Sequence, residues 1–185
     1  MRIASVVARQ VLDCKARPLV EVEITTDTGY VGRGASPTGI SVGVHEAVVI
    51  RDGDRAEYGG LSVHTAVSTV TDEIAPVLVG TELDEPRSLD RLLIELDGTP
   101  DKHRLGGNAV YSTSIALLRA ASAAAGIPTY TYVGALLGLK PPTTLPAPSF
   151  NMINGGRYGD IVQTFNEFLV VPTAPTPSSR RSKRE

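Results

Sequence analysis

Residues 20–33 read VEVEITTDTGYVGR and carry the strongest secondary-structure signal in the chain. Apolar and polar residues alternate over 20–25, which is the two-residue period of a strand with one buried face. Residues 27–29 (DTG) supply the chemistry of a tight turn, and apolar residues resume at Tyr30. The pattern therefore predicts an antiparallel hairpin, to which residues 3–7 add another strand.

Downstream of the hairpin the apolar spacing changes to that of helices. One amphipathic helix is predicted from Ser62, with Pro76 expected to end or bend it, and a second from Ser88 to Gly98. Residues 108–126 are rich in Ala, Ser and Thr, so a helix there has small side chains and packs closely against its neighbours. A small antiparallel sheet combined with several helices predicts an α+β fold class.

The organisation of the chain changes after one more short predicted helix at 130–139. The proline-rich segment PPTTLPAPS interrupts the pattern, and FNMIN at 150–154 and NEFLVV at 166–171 then resemble two buried strands. The last segment is rich in Pro, Ser and Arg without an apolar period, which predicts a mobile tail. The predicted divisions are a domain at 1–142, the first strands of a second domain at 143–172 and a disordered tail at 173–185.

Charge and composition exclude several classes of function. The formal net charge is −2 over 185 residues, so the chain as a whole does not attract nucleic acid or membranes. A basic cluster at 180–184 has no aromatic residues beside it for base stacking, and we expect no nucleic-acid or membrane partner. Cys14 is the only cysteine and the start lacks a signal-peptide core, which favours a cytoplasmic location.

Two short motifs resemble functional signatures but are incomplete. His45 and Glu46 form an HE pair, yet no second histidine follows at the spacing of a zinc-protease helix. Gly32 and Gly34 lack the third glycine of a dinucleotide-binding turn. We therefore expect neither a zinc site nor a nucleotide site.

Several spaced motifs resemble the enolase family. VLDCKARPLVEVEITTDTGYVGRG at 11–34 is similar to the family's opening strand, loop and hairpin, and PTGISVGVHEAVVIRDGD at 37–54 is similar to its mobile active-site loop. LDGT, LGGNAVYSTSIALLRAASAAAGIP and FNMINGG follow in the family's order. The resemblance covers about residues 3–172, and it implies an enolase-like amino-terminal domain followed by the truncated beginning of a β/α barrel.

The resemblance also implies an activity. Enolases remove water from 2-phosphoglycerate to give phosphoenolpyruvate, a step of glycolysis, and Mg²⁺ stabilises the enolate charge that develops. Their amino-terminal domain contributes a loop that closes over the substrate, while the barrel carries most of the catalytic groups. Enolases are usually dimers, so the resemblance also implies a possible homodimer.

The residues that match the family's lid loop are Gly39, Ile40, Ser41, Val42 and Gly43, which stand in place of its Gly-Ala-Ser-Thr-Gly. Ser41 matches the serine that ligates the second Mg²⁺, a role that suits a hydroxyl oxygen; the alternative is a loop serine making local backbone hydrogen bonds. Ile40 and Val42 replace the usual Ala and Thr and make the loop more apolar, which implies altered contacts in its closed state.

A second site segment, NGGRYGDIVQTFNEF, aligns without a gap to the family's Asn-Gly-Gly segment. It places Glu167 at the catalytic carboxylate near the leaving group, although an acid in this position could equally form a surface salt bridge. Tyr158 stands where enolases carry histidine, and Asn166 where they carry glutamine. Because both positions bind substrate in the family, these replacements imply altered phosphate contacts.

The activity of this chain remains open at the level of sequence. The family's base lysine, its other substrate-binding lysine and the main Mg²⁺ carboxylates would lie beyond residue 185, so we expect little or no activity from the chain alone. The abrupt change after Pro172 suggests a premature end or a reading-frame shift. Three interpretations stand: a glycolytic enolase, a dehydratase of phosphonate antibiotic biosynthesis of the carboxyphosphonoenolpyruvate synthase type, and a noncatalytic module that binds enolase.

Overall fold

The computed structural model describes residues 1–37, 43–140, 143–155, 165 and 167–172. The chain divides into two compact units, Met1–Lys140 and Pro141–Glu185. The first unit holds a small antiparallel sheet and several helices, so the predicted α+β fold class is confirmed.

The sheet of the first unit has three antiparallel strands in the order β1-β2-β3. Strand β1 spans Ile3–Leu12, five residues longer than the predicted 3–7, while β2 spans Pro18–Thr26 and β3 spans Val31–Ala35. The predicted turn joins β2 to β3, and the backbone N–H of Thr26 donates to the carbonyl oxygen of Tyr30 at 2.9 Å. Antiparallel pairing with a short turn keeps these contacts local along the chain.

Helices occupy most of the remainder of this unit. They are α1 at His64–Thr69, α2 at Ala75–Leu78, α3 at Pro86–Asp97, α4 at Gly107–Ala124 and α5 at Thr129–Leu136, with a short 3₁₀ segment at Tyr58–Gly60. In the part of the chain that the structure describes, no single helix is long and apolar enough to cross a membrane. The pair α4 and α5, bent by 100°, passes that test together by length and composition alone.

Pro76 does not end its helix, because the backbone hydrogen bonds change from the α-helical to the π-helical pattern directly before it. A π-helical segment at Val70–Ile74 lies between α1 and α2, and Pro76 occupies the first turn of α2, which runs on to Leu78. Proline has no N–H for the carbonyl four residues earlier and its ring crowds that carbonyl. A wider π turn directly before it accommodates both constraints.

The amino terminus of α1 is capped from outside the helix. The predicted cap at Ser62 is wrong, because the N-cap residue is Val63 and no side chain of its own caps the helix. The carboxylate of Asp52 instead accepts hydrogen bonds from the backbone N–H of His64 at 2.7 Å and of Thr65 at 2.9 Å. Burial opposes ionisation of Asp52, but these hydrogen bonds outweigh it and lower its pKa to about 2.

The core lies between one face of the sheet and the helices. Val20, Val22 and Ile24 of β2 are fully buried, as the alternation of apolar residues predicted. Each such side chain contributes roughly 1.5–3 kcal/mol by leaving water. The other large side chains that are fully enclosed are Ile3, Val63, Val70, Ile74, Leu78, Leu83, Leu93, Leu105 and Leu117.

Strand β3 approaches helix α4 so closely that no side chain fits between them. A Cβ atom on Gly32 would lie 2.2 Å from the carbonyl oxygen of Ala116, and a Cβ on Gly34 would lie 2.0 Å from that of Ser112. The hydroxyl of Ser112 also donates a hydrogen bond of 2.9 Å to the carbonyl of Val20 in β2. The two glycines, which did not complete a nucleotide motif, are therefore required by backbone-to-backbone packing.

The second unit contains one antiparallel pair among its described residues, β4 at Phe150–Asn154 and β5 at Glu167–Val170. The prediction of two buried strands is wrong, since every residue of both strands is exposed. A two-stranded sheet has no interior, and among the described residues no further layer covers either face. The rings of Phe165 and Phe168 meet edge to face with centroids 6.1 Å apart.

We predict that Gly34→Ala destabilises the protein by about 3 kcal/mol or more, because the added methyl meets rigid backbone atoms of α4. Gly134→Ala is the matched control. Its added Cβ would meet only Leu139 O at 3.9 Å, so we expect unchanged stability or a gain of up to about 1 kcal/mol from better helix propensity. Urea unfolding measures both, and equal stability of the two variants would contradict the close contact.

We predict a pH-dependent contribution from Asp52. Its pKa is depressed from the ordinary 3.8 to about 2, so its stabilising effect is complete above pH 3.8 and is lost as the pH falls towards 2. The free energy of unfolding of Asp52→Asn should be about 1 kcal/mol lower than that of the parent at neutral pH, because the amide carries no charge and has one acceptor oxygen for two backbone N–H groups. This difference should shrink between pH 4 and pH 2 in urea titrations, and a constant difference would refute the capping role.

Candidate functional site

The described structure covers only part of the predicted site. Of the lid loop, Gly43 is described, while Gly39, Ile40, Ser41 and Val42 lie outside the described residues. The substrate-binding positions Tyr158 and Asn166 lie outside them too, whereas the predicted catalytic Glu167 is described. Gly43 belongs to the first unit and Glu167 to the second.

Gly43 begins a hydrogen-bonded turn. The backbone N–H of Gly43 donates to Oε1 of Glu46 at 2.7 Å, and the N–H of Glu46 donates back to the carbonyl oxygen of Gly43 at 3.2 Å. His45, the other half of the HE pair, is exposed, and Val44 is 95% exposed. Glu46 therefore has a structural partner in the backbone.

The residues after this turn are fixed on the amino-terminal end of α4. The N–H of Val48 donates to the carbonyl oxygen of Asp101 at 2.8 Å, and the N–H of Gly107 donates to the carbonyl oxygen of Val48 at 2.7 Å. The N–H of Ile50 donates to Oδ1 of Asn108 at 3.2 Å, while Nδ2 of Asn108 donates to the carbonyl oxygen of Ile50 at 3.0 Å. Both backbone groups of Val48 and of Ile50 are thus satisfied.

The glycine pair before Asn108 makes this approach possible. A Cβ atom on Gly107 would lie 2.7 Å from Cβ of Ala47, and one on Gly106 would lie 2.9 Å from Cδ1 of Ile50. Gly106 also has a φ angle of 92°, a conformation that other residues rarely adopt. The sequence Gly-Gly-Asn therefore combines space for the neighbouring segment with a side chain that binds it.

The loop that leads into α4 is shaped by Asp97, which is 2% exposed. Its carboxylate accepts hydrogen bonds from the backbone N–H of Thr99 at 2.9 Å and from that of Leu105 at 2.8 Å. Burial opposes ionisation of Asp97, but the hydrogen bonds from Thr99 and Leu105 prevail and hold its pKa below the ordinary value. This loop includes Asp101, whose carbonyl accepts the bond from Val48, so Asp97 supports the site indirectly.

Glu167 is the first residue of β5 and pairs in register with Asn154 of β4. It is exposed, so solvent reaches its carboxylate in the structure. A carboxylate at the start of a strand is accessible for proton transfer or for binding a polar group. No pairing of Glu167 with a second catalytic side chain is seen among the described residues of its unit.

The residues that the structure describes do not assemble a magnesium site. Among them, no group of three or more His, Cys, Asp or Glu side chains lies close enough to hold one ion. The predicted ligand Ser41 lies outside the described part, and a hydroxyl alone is a weak ligand for Mg²⁺, which prefers carboxylates and water.

An open cleft of about 410 Å³ lies elsewhere on the first unit. Its lining includes Met1, Tyr30, Asp84, Ala121 and Tyr132. Burial, and secondarily the charge of Asp84, raises the pKa of Tyr132. The cleft contains none of the predicted site residues, and on its wall the amino group of Met1 lies 3.6 Å from Oδ1 of Asp84 as a surface ion pair.

Sequence reasoning missed the residues that hold the segment after the lid loop. LGGN served only as a family motif, although two consecutive glycines followed by asparagine at a predicted helix start already signal a close backbone approach. The partners could not be read from the sequence, because Asn108 and Ile50 are 58 residues apart. The structure brings them together through the loop that Asp97 shapes.

The sequence of the chain matches a model of a known protein family. The family model described as "Enolase, N-terminal domain" matches residues 3–133. The match includes the three-stranded sheet, the segment 43–50 and the Gly-Gly-Asn start of α4, which are the features that form the site in the first unit. Because the matched residues make up more than half of the 185-residue chain, this protein belongs to the enolase family.

Proposed function

We propose that this chain provides the amino-terminal domain of an enolase-type hydro-lyase that converts 2-phosphoglycerate to phosphoenolpyruvate with Mg²⁺. The observation that carries the proposal is the family match over residues 3–133 together with a fixed segment directly after the predicted lid loop. Mg²⁺, when bound in the complete enzyme, neutralises charge on the enolate. As part of this proposal, the amino-terminal domain ends at residue 142 and the beginning of the barrel ends at residue 172.

The chain's own contribution to this reaction would be positioning and exclusion of water. A loop that closes over a substrate must start and end on fixed points, since otherwise the ordering of the loop costs binding energy. Gly43 to Ile50 supply one fixed end, held by four hydrogen bonds at Val48 and Ile50, of which three run to α4 and one to the loop before it. By resemblance to the family, Ser41 would be a ligand of a magnesium ion, and Glu167 would exchange a proton with the leaving hydroxyl.

A phosphonate-bearing acid is the alternative substrate. Tyr158 and Asn166 replace a histidine and a glutamine of the family pattern. Tyrosine cannot carry the positive charge of a protonated histidine, and the side chain of asparagine is one methylene shorter than that of glutamine, so the contacts with a phosphate group would change. Such changes favour a specialised dehydratase of phosphonate antibiotic biosynthesis. The glycolytic reaction remains our first proposal because the other matched motifs belong to the general enolase pattern.

A noncatalytic function is the remaining alternative. Phe150, Met152, Phe168 and Leu169 of the β4–β5 pair are all 44% exposed or more, and exposed apolar surface favours association. The proposed partner is an enolase subunit, in a mixed dimer or a homodimer. Co-elution with a full-length enolase on size exclusion would support this alternative, and separate elution would contradict it.

The proposed location of the protein is the cytoplasm. The single cysteine, Cys14, suits this reducing compartment.

We predict that residues 1–172, grafted in place of the corresponding part of an authentic enolase, restore dehydration of 2-phosphoglycerate. In this chimera Glu167→Gln should lower turnover roughly a hundredfold or more, because the amide cannot accept or give the proton. Ser41→Ala should raise the Mg²⁺ concentration that gives half-maximal turnover, whereas the control Ser68→Ala, on the exposed side of α1, should leave it unchanged. A folded chimera without turnover would contradict the enolase-type function.

The same chimera distinguishes the two substrates. If the phosphonate reading is correct, turnover of the phosphonate acid should exceed that of 2-phosphoglycerate. Tyr158→His with Asn166→Gln should then reverse the preference, because these changes restore a cationic group and the longer amide. A preference for 2-phosphoglycerate that these substitutions leave unchanged would exclude the phosphonate substrate.

A further inference from the structure

We propose that Asn108 is the positioning residue that fixes the segment Gly43–Ile50, which begins at the last residue of the predicted lid loop. The inference rests on the proposed enolase-type function for its catalytic meaning. Its structural content rests only on contacts within the first unit. Asn108 would act on the reaction through the segment that it holds.

Hydrogen bonds and apolar contact at its end both hold this segment in place. Gly43 to Val49 are all exposed, although Val48 and Val49 are only 39% and 38% exposed, and Ile50 packs against the core. Apolar contact is therefore concentrated at the end of the segment, and exposed segments open at low free-energy cost unless their amides are bonded. The bonds at Val48 and Ile50 run to the loop before α4 and to the first turns of α4.

The amide of Asn108 is suited to this task because it donates and accepts from one planar group. Its Oδ1 accepts from the N–H of Ile50 at 3.2 Å, and its Nδ2 donates to the carbonyl oxygen of the same residue at 3.0 Å. The pair imitates the two-bond pairing of residues across a β-ladder. Substitution by a smaller or purely accepting side chain leaves at least one backbone group of Ile50 without this partner.

Asn108 is itself rigidly placed. The residue is 3% exposed and lies in the first turn of α4, the helix that packs its backbone against Gly32 and Gly34. Little water reaches the buried amide of Asn108, so water does not readily replace its hydrogen bonds to Ile50. Loss of these bonds should therefore weaken the attachment of the segment. The position of the segment is thereby tied to the sheet through α4.

Amide hydrogen–deuterium exchange of the unsubstituted chain, read residue by residue by NMR, tests the proposal without any ligand. The amides of Val48 and Ile50 should be protected although the segment is exposed, whereas those of Val44 and His45 should exchange rapidly. Equal exchange rates in these two pairs would overturn the proposal. This measurement needs no variant, so it stands even where a substitution prevents folding.

Two variants then separate the amide from general packing. Asn108→Ala should raise the exchange of the Val48 and Ile50 amides roughly tenfold, because it removes both bonds to Ile50. Asn108→Asp keeps the size and the acceptor but loses the donor, and it should raise exchange at the same two amides. The amides of Val22 and Ile24 in the core strand should keep the protection of the parent, apart from any change in global stability.

Thr113→Val is the matched control, since its hydroxyl donates within α4 to the carbonyl oxygen of Ala109 at 2.8 Å and does not touch the segment. It should leave the exchange of Val48 and Ile50 unchanged relative to the core amides. A uniform increase over the whole domain in the Asn108 variants, or none, would overturn the positioning role. If the Val48 and Ile50 amides are protected as expected but the enolase chimera shows no turnover, the role of Asn108 in fixing the segment is retained and the enolase-type function is refuted.

Discussion

The contact on which the first unit depends is the approach of strand β3 to helix α4 at Gly32 and Gly34. Backbone atoms of the two elements meet where a side chain would otherwise stand. This contact can form only with small residues on both surfaces, and Ser112, Ala116 and Ala120 provide them at four-residue spacing along the helix. Close packing of this kind leaves little freedom for the helix to shift over the sheet.

A fixed α4 has consequences beyond the core. Its amino-terminal end carries Gly107 and Asn108, which bind the segment that follows the predicted lid loop. Its later part lies against the hairpin, where Arg119 donates from Nη1 to the carbonyl oxygen of Arg33 at 2.7 Å. One helix thus relates the sheet to the candidate site, and displacement of α4 would disturb both.

The sequence predicted those features that depend on neighbouring residues. Alternation over 20–25 and the turn at 27–29 identified the hairpin, and Gly98 ends α3 in the left-handed conformation with a φ of 70°. Features that depend on distant partners were missed. Asp52 replaces Ser62 as the cap of α1, and the need for glycine at position 34 arises from Ser112, which no local pattern relates to it.

The candidate site also has one part that the sequence predicted and another that only the structure shows. Motif order identified the family, and the family supplied Ser41 and Glu167, but the part of the site that can be derived physically is the segment after Gly43. Among the described residues, the backbone hydrogen-bond partners of Val48 and Ile50 lie in the loop before α4 or at its start, within the first unit. A domain that carries its own anchor can present a loop to a substrate bound elsewhere, because the loop's attachment is set before the substrate arrives.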